Sequence, residues 1–469
     1  MNLKKAKAIH FTGIKGVGMT ALALACQDLG KKLSGSDTAE IFPTDAILKK
    51  RQIKIKIGFN PQYVPKNCDL LIYTGAHGGS NNPEVISAKK RQIPVLAQAQ
   101  ALGQLAEGKQ TVAVAGVGGK TTTAAMIASI LTSAGFKPAF CIGAGNITNL
   151  GVPGRCPKQA KLFVAEADEY MTDPGVNFTP RFHYLNPQVA VLTNLEYDHP
   201  DVYPDLAAVY QSFQTFIQPA ELTIINLDNP HNRAFLKTIS QPVTTYGFSP
   251  QSDWQIIKVH AAEHKMFLQF KFKNLLWPEI ILNVPGVYNA YNATAAAAAA
   301  CHLGVSPEKI NQGLRQFQGV KRRFEFIDQV KGVALYDDYA HHPTEIKAVL
   351  TASRGWLPEK RIIAVFQSHT YSRTKALLGE FCRSLALADR VIINDIFSSA
   401  RETDNLGLTG FKFSQEIKKC QRQTEYCPGE DETINYLQQI CRKNDVIFTL
   451  GAGNNWLWHK NIIKALKKR

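Results

Sequence analysis

Residues 112–123 read Val-Ala-Val-Ala-Gly-Val-Gly-Gly-Lys-Thr-Thr-Thr, and this stretch decides the fold. A short apolar, β-branched run feeds a glycine turn. Lys120 and Thr121 follow, and a helix-like run continues from Ala124 to Leu131. Glycines let backbone N–H groups converge on phosphate oxygens, the new helix adds its positive end, and the lysine spans the β and γ oxygens. The Thr121 hydroxyl is then placed to ligate Mg²⁺. Position 114 is Val, so the motif is a shortened one, Gly116-x-x-Gly119-Lys120-Thr121. Gly116, Val117, Gly118, Gly119, Lys120, Thr121 and Thr122 are therefore candidates for holding ATP or GTP. No guanine-specific Asn-Lys-x-Asp follows the loop, which disfavours GTP.

Outward from this loop the chain alternates strand and helix patterns, which predicts an α/β protein with mostly parallel, doubly wound sheets. Upstream, Ala8-Ile-His-Phe11 runs into Gly13-Ile-Lys-Gly16-Val-Gly18, then a helical stretch through Leu29. Asp37 follows Gly18 by nineteen positions, about where a Rossmann unit places its ribose-binding acid, although Lys15 stands where the second glycine is expected. A strand over 70–74 then precedes a loop rich in glycine and asparagine. Gly13, Gly16, Gly18, Asp37 and Thr74 are the candidate ligand residues of this first unit. Downstream, the strand Leu162-Phe-Val-Ala ends in Glu166-Ala-Asp168-Glu169, and Val189-Ala-Val-Leu ends in Thr-Asn194-Leu-Glu-Tyr-Asp198-His199. A more β-rich insertion is expected between about Val243 and Val284. A third unit begins near Gly319, with strands near 333–336, 361–366, 391–393 and 446–450. The expected domains are residues 1–106, 107–318 and 319–469.

Bulk properties bound the function. A chain of 469 residues suggests about three domains. Apolar residues at 45% and charged residues at 20% fit several ordinary soluble cores. No stretch approaches the roughly 18 consecutive apolar residues of a membrane span, and Ala293–Leu303 reads as a packed helix. No secretory h-region or cleavage site precedes Gly13, so a cytoplasmic location is expected. The nine cysteines are dispersed without a Cys-x-x-Cys pair, as expected of reduced thiols. The net charge of +16 fits either nucleic-acid binding or attraction for phosphorylated substrates. The basic residues are spread in short clusters, and no zinc-finger spacing or recognition-helix signature accompanies them, so no specific nucleic acid is expected as partner. A P-loop nucleotide- or nucleic-acid-binding module is the competing class. Monomer and dimer both remain open.

Glu166 and His199 each end an apolar strand in the P-loop unit. Parallel strand ends share the ligand edge of such a sheet, where Glu166, His199 and Thr121 can together ligate a divalent metal. The ordered set formed by Gly116–Thr122, Glu166–Glu169, Thr193–His199, Pro285-Gly-Val-Tyr-Asn-Ala-Tyr-Asn292, Arg322-Arg-Phe-Glu325 and Asp337-Asp-Tyr-Ala-His-His-Pro343 resembles the Mur ligases. These are ATP-dependent amide-forming enzymes of peptidoglycan synthesis, and the resemblance spans essentially the whole chain. It implies a Rossmann-like N-terminal UDP-sugar domain, a central P-loop ATPase domain and a Rossmann-like C-terminal domain that receives the incoming amino acid. It also implies ATP and Mg²⁺ as cofactors. Lys120, Glu166, His199, Asp338 and His341 are implied as catalytic. Thr121, Glu166 and His199 are implied as metal ligands. Asn289, Asn292 and Arg323 are implied as further ATP contacts, with Arg323, Asp338 and His341 completing that site from the third domain on closure.

Several members of the family carry a carbamylated lysine shortly beyond the metal-site histidine. Here no lysine lies between His199 and Lys237. That resembles the branch acting on UDP-N-acetylmuramate itself. Phe366-Gln-Ser-His369-Thr-Tyr-Ser-Arg373 and Ile396-Phe-Ser-Ser-Ala-Arg-Glu402 resemble members that add L-alanine, with His369 and Arg373 implied as substrate-binding. The long segment 170–187 and the spacing of Glu166 from His199 resemble members that recycle an L-Ala-γ-D-Glu-diamino acid tripeptide. L-alanine addition is the expectation, because the third domain reads the amine. Lys15, Val117-Gly118 (Thr-His is usual) and Tyr288 (His is usual) depart from the family pattern. The sequence assigns no role to segment 170–187.

Overall fold

The computed structural model describes residues 2–199, 201–398, 402 and 404–468. The chain forms two compact units, one made of residues 1–260, 267–283 and 288–320, the other of 261–266, 284–287 and 321–469. Each contains parallel α/β sheet, as the alternating pattern predicts.

The first unit contains two large sheets and a two-stranded hairpin, Met171–Asp173 with Asn177–Pro180. In the N-terminal sheet, the strands run Lys54–Ile57, Lys32–Asp37, Ala8–Thr12, Leu70–Tyr73, Val95–Ala97, all parallel. Strand order reverses beside Ala8–Thr12, which is the crevice where such sheets take ligands. Glu84, fully buried, knits these strand ends together by accepting hydrogen bonds from Thr12 Oγ1 (2.8 Å) and Ser36 Oγ (2.5 Å), with His10 Nε2 at 3.2 Å. Burial works against its charge, but His10, Ser36 and Thr12 hold its carboxyl below the ordinary value.

The central sheet has a parallel core in the order Val243–Gly247, Leu222–Asn226, Val189–Leu192, Gln110–Ala115, Leu162–Glu166, Ala139–Cys141. Val112, Ala113, Val114, Val189, Ala190 and Val191 have no exposed surface, as expected of strands covered on both faces. The expected β-rich insertion is present as Trp254–Ala262, Lys265–Phe272, Leu275–Leu276 and Ile280–Leu282. Alanine-rich Val287–His302 is a helix, buried along most of its length. The helix Lys120–Ser133 is buried almost all round. Helix Pro307–Gln316 lies so close to it that a Cβ on Gly313 would stand 2.5 Å from Ile130 Cα. The N-terminal sheet and the central one are joined at a similar approach. A Cβ on Gly154 would stand 1.9 Å from the Ala21 carbonyl oxygen, so helix Val17–Asp28 seats directly on strand Gly154–Arg155.

In the second unit the order is Glu325–Val330, Val333–Asp338, Asp445–Leu450, Arg361–Phe366, Arg390–Ile393, Thr424–Tyr426. The first pair is an antiparallel hairpin and the rest are parallel. All nine cysteines are free thiols. Among the described residues no helix is long and apolar enough to cross a membrane.

Candidate active site

The P-loop strand Gln110–Ala115 delivers Gly116 at φ 121°, a conformation L side chains rarely adopt. Space requires glycine as well, since a Cβ there would lie 2.3 Å from Thr193 Oγ1. The loop is pinned to the end of the neighbouring strand: Val117 N–H donates to Asn194 O (2.9 Å) and Gly118 N–H to Asn194 Oδ1 (2.8 Å). Gly119, at φ 82°, opens the helix Lys120–Ser133. Asn292 closes the other side. Its Oδ1 accepts from Thr123 Oγ1 (3.1 Å), and its amide donates to Asn289 Oδ1 (3.0 Å). Both asparagines expected near ATP thus belong to the P-loop's surroundings, with Asn292 hydrogen-bonded to the first turn of its helix.

Acidic groups converge on this helix start. Lys120 Nζ donates to both oxygens of Glu169, at 3.1 and 3.0 Å, within a nearly buried ion pair. Thr121 Oγ1 donates to Glu166 Oε1 (2.9 Å), whose other oxygen accepts from Gly143 N–H (2.7 Å). Burial raises the pKa of both Glu166 and Glu169, with Lys120 pulling each back toward ionisation. For Lys120 burial acts to lower the pKa, but Glu169, Asp168 and Glu166 outweigh it and hold the ammonium above the ordinary lysine value.

The expected metal set is divided by the structure. Thr121 sits on Glu166, whereas His199 faces Glu169 and Asp198, its Nε2 lying 3.8 Å from Glu169 Oε1 and 3.7 Å from Asp198 Oδ2. One ligand atom from each of Glu169, Asp198 and His199 falls within 4.8 Å of the others, enough to enclose a cation. This donor set, mainly carboxylate oxygen, with Thr121 in the first turn of the P-loop helix and Glu166 at the end of strand Leu162–Glu166, suits a hard divalent ion such as Mg²⁺. Glu169, Asp198 and Asn194 had no role assigned from the sequence. The available signal was adjacency: Glu169 lies three residues beyond Glu166, and Asp198 immediately precedes His199. His199 is held at φ 58° with its ring 4.9 Å from that of Tyr170, and Tyr203 Oη donates to the Glu169 carbonyl (2.7 Å).

At the N-terminal crevice, Gly13 lies against Thr74. A Cβ on Gly13 would lie 2.4 Å from Thr74 Cγ2. Gly16 caps helix Val17–Asp28, and Gly18 follows in its first turn. Asp37 is buried, and its carboxylate accepts from Lys15 N–H (2.6 Å) and Thr38 N–H (2.7 Å), with His77 Nε2 at 3.8 Å. Burial pushes its pKa up, partly offset by those amides. The Lys15 ammonium donates to Thr38 O (2.9 Å) and Glu40 O (2.8 Å), so it straps the following segment onto the glycine loop.

The second unit gathers its own cluster at the C-terminal ends of its strands. Asp338 ends Val333–Asp338 and accepts from Phe324 N–H and Ala340 N–H, each at 2.7 Å. Burial pushes its carboxyl up to about 6, against Arg323, which lowers it. Arg323 lies 3.9 Å from Glu345 and over the Tyr339 ring. His341 Nδ1 is 3.3 Å from Glu345 Oε2, and its ring centroid is 6.4 Å from that of His369. Burial lowers the His341 pKa; Glu345 opposes this and Arg373 adds to it. His341, His369 and Arg373 are thus brought to one edge. In the 396–402 motif, residues 399–401 lie outside the described residues. Glu402 accepts from Tyr371 N–H at 2.5 Å, at the start of the helix Tyr371–Ala376 that carries Arg373.

Residues 8–110 match the Mur ligase family catalytic domain, 114–300 the Mur ligase middle domain and 322–453 the Mur ligase glutamate ligase domain. This chain belongs to the Mur ligase family. Its fold is the family's three-domain α/β architecture, and the middle domain carries ATP binding with it. The UDP-N-acetylmuramate–L-alanine ligase of Carboxydothermus hydrogenoformans is 36% identical over 467 residues, covering 99% of this chain and 98% of that protein. The crystal structure of the UDP-N-acetylmuramate–alanine ligase from Thermotoga maritima superposes with TM-score 0.83 over 99% of both chains, at 24% identity. The murein peptide ligase of Psychrobacter arcticus covers the same share of both chains with TM-score 0.71 and 25% identity.

Proposed function

We propose that this chain is a cytoplasmic, ATP-dependent amide ligase that joins L-alanine to the carboxylate of UDP-N-acetylmuramate in peptidoglycan precursor synthesis. The observation that carries the reading is full-length identity of 36% to the UDP-N-acetylmuramate–L-alanine ligase of Carboxydothermus hydrogenoformans. The P-loop ammonium of Lys120, set among Glu166, Asp168 and Glu169, supplies the chemistry. The substrate carboxylate attacks the γ-phosphorus of ATP, forming a carboxyl-phosphate bond as the bond to ADP breaks. Lys120 and the loop N–H groups neutralise charge on the transferring oxygens. The amine of alanine then attacks the acyl carbon, and phosphate leaves with formation of the amide and loss of the amine proton. Water must be kept away from the acyl phosphate. Glu169, Asp198 and His199 would hold Mg²⁺, with Thr121 and Glu166 as a second pair of oxygen donors, and the ion would supply further charge neutralisation on the phosphates. Arg373 offers the planar fork that captures an amino-acid carboxylate, beside His341 and His369.

The test is ADP release with ATP, Mg²⁺ and UDP-N-acetylmuramate, adding L-alanine, glycine, L-serine or the L-Ala-γ-D-Glu-diamino acid tripeptide in parallel. Preferential turnover with L-alanine is expected. Turnover with tripeptide alone would make the chain a recycling ligase, and silence with every amine would refute ligase activity.

A further inference from the structure

The segment following Glu169 crosses from the phosphate site to the N-terminal crevice. Its residues Met171–Asp173 and Asn177–Pro180 pair as an antiparallel hairpin. At its base, Arg181 pairs with Asp168 (2.7 Å) and donates from Nε to Met171 O (3.2 Å), while Tyr170 Oη donates to Asp201 (2.7 Å). At its far side, Asp173 is 1% exposed. Its Oδ2 accepts from Ser80 N–H (3.0 Å) and from the Tyr73 phenol (3.3 Å). Burial first, and Asp173 second, push the Tyr73 phenol up to about 12, so it stays a donor.

Two glycines of the receiving loop are shaped to this hairpin. A Cβ on Gly79, which sits at φ 51°, would stand 1.8 Å from Asp173 Oδ1, and one on Gly75 would stand 2.5 Å from Thr172 O. The same loop carries Thr74 against Gly13, and His77 against Asp37. It therefore forms one wall of the crevice at the strand reversal.

We propose that Asp173 is a positioning residue for the sugar-nucleotide site: it fixes loop 74–82, and the hairpin that carries it ties that wall to the Glu169 end of the phosphate site. This rests on the function proposed above. The role is positional, because Asp173 reaches the crevice through Ser80, Gly79 and Tyr73.

Wild type, Asp173→Asn and Asp173→Ala should be compared by calorimetry with UDP-N-acetylmuramate, by initial-rate kinetics and by thermal unfolding. For Asp173→Ala, loss of a charge-assisted hydrogen bond to the loop should raise the KM for UDP-N-acetylmuramate about tenfold and weaken its binding equally. The KM for ATP should move less than about twofold, since Lys120 and Glu166 stay in place. Asp173→Asn keeps the size and one acceptor, and should recover part of the loss. Wild type that binds no UDP-N-acetylmuramate would overturn the function and this proposal together. Wild type and Asp173→Ala binding it equally would overturn this proposal alone. So would parallel loss of both substrates accompanied by a lowered Tm, the mark of a merely structural role.

Discussion

Exchanging Glu169 for glutamine removes one charge and almost no volume. Lys120 Nζ contacts both Glu169 oxygens, with side-chain exposures of 15% and 5%, so solvent screens the pair little. Removing one partner of a buried pair costs about 3–5 kcal/mol. Asp168 and Glu166 still act on Lys120, and glutamine retains an acceptor, so about 2–3 kcal/mol is expected here. The Lys120 pKa is raised above its ordinary 10.5, so its share of the stabilisation is lost as pH rises through the folded-state value, while at acid pH the pair is lost as Glu169, whose pKa burial raises, takes up a proton. The whole effect is therefore available near neutral pH, as a fall in Tm of about 5–10 °C. Catalysis should suffer to a similar degree, with kcat/KM for ATP falling about 100-fold as a carboxylate beside the phosphates is lost. Burial then acts on Lys120 with less opposition, so the deficit should widen toward alkaline pH. Differential scanning fluorimetry and coupled ADP-release kinetics across pH measure both effects. A Tm within about 1 °C of wild type, with kcat/KM for ATP within about threefold, would refute the placement of this pair at the centre of the site.

Gly116→Ala forces a side chain onto a φ of 121° and against Thr193. It should abolish calorimetric binding of a non-hydrolysable ATP analogue, and normal binding would contradict the assigned loop. In Asp338 the folded carboxyl titrates at about 6 against an ordinary 3.8, so the folded state holds its proton more tightly. Wild-type stability should therefore fall as pH rises between those values and level off above, by about 3 kcal/mol in all. Urea unfolding of Asp338→Asn should lack that slope, and parallel stability curves for the two proteins would refute it. Arg373→Lys keeps the charge but loses the fork, and should raise the KM for L-alanine about tenfold while sparing the KM for ATP. An unchanged alanine KM would take Arg373 out of the amine site.

Periodicity and punctuation made the parallel sheets legible. A buried strand must be a short apolar run, and a parallel crossover needs a helix between runs. The strands at Ala8, Gln110, Leu162, Val189 and Arg361 all announce themselves this way. Edges did not. Thr424–Tyr426 is three residues long, and Glu325–Val330 mixes charge with apolar groups because it pairs on one side only. Such strands leave no period to count. Segment 170–187 hid its meaning for another reason. Asp173-Pro-Gly175 signals a turn, but what the turn serves depends on Gly75 and Gly79, roughly a hundred residues upstream. Only the assembled sheets bring them within contact.

The partition of the acidic residues is the deepest such case. From the sequence, Glu166 and His199 look equivalent because each ends or closely follows an apolar strand. The strand ending at Glu166 carries that side chain to Thr121, in the first turn of the P-loop helix, and to the Gly143 amide. The chain then needs three further residues to turn, and it is Glu169 that meets Lys120 and His199. His199 cannot be assigned by counting from its strand either, since a positive φ redirects the chain there. Strand ends mark the ligand edge of a doubly wound sheet, but the turns after them choose which carboxylate works there. Glu169 and Asp198 both lie in such turns.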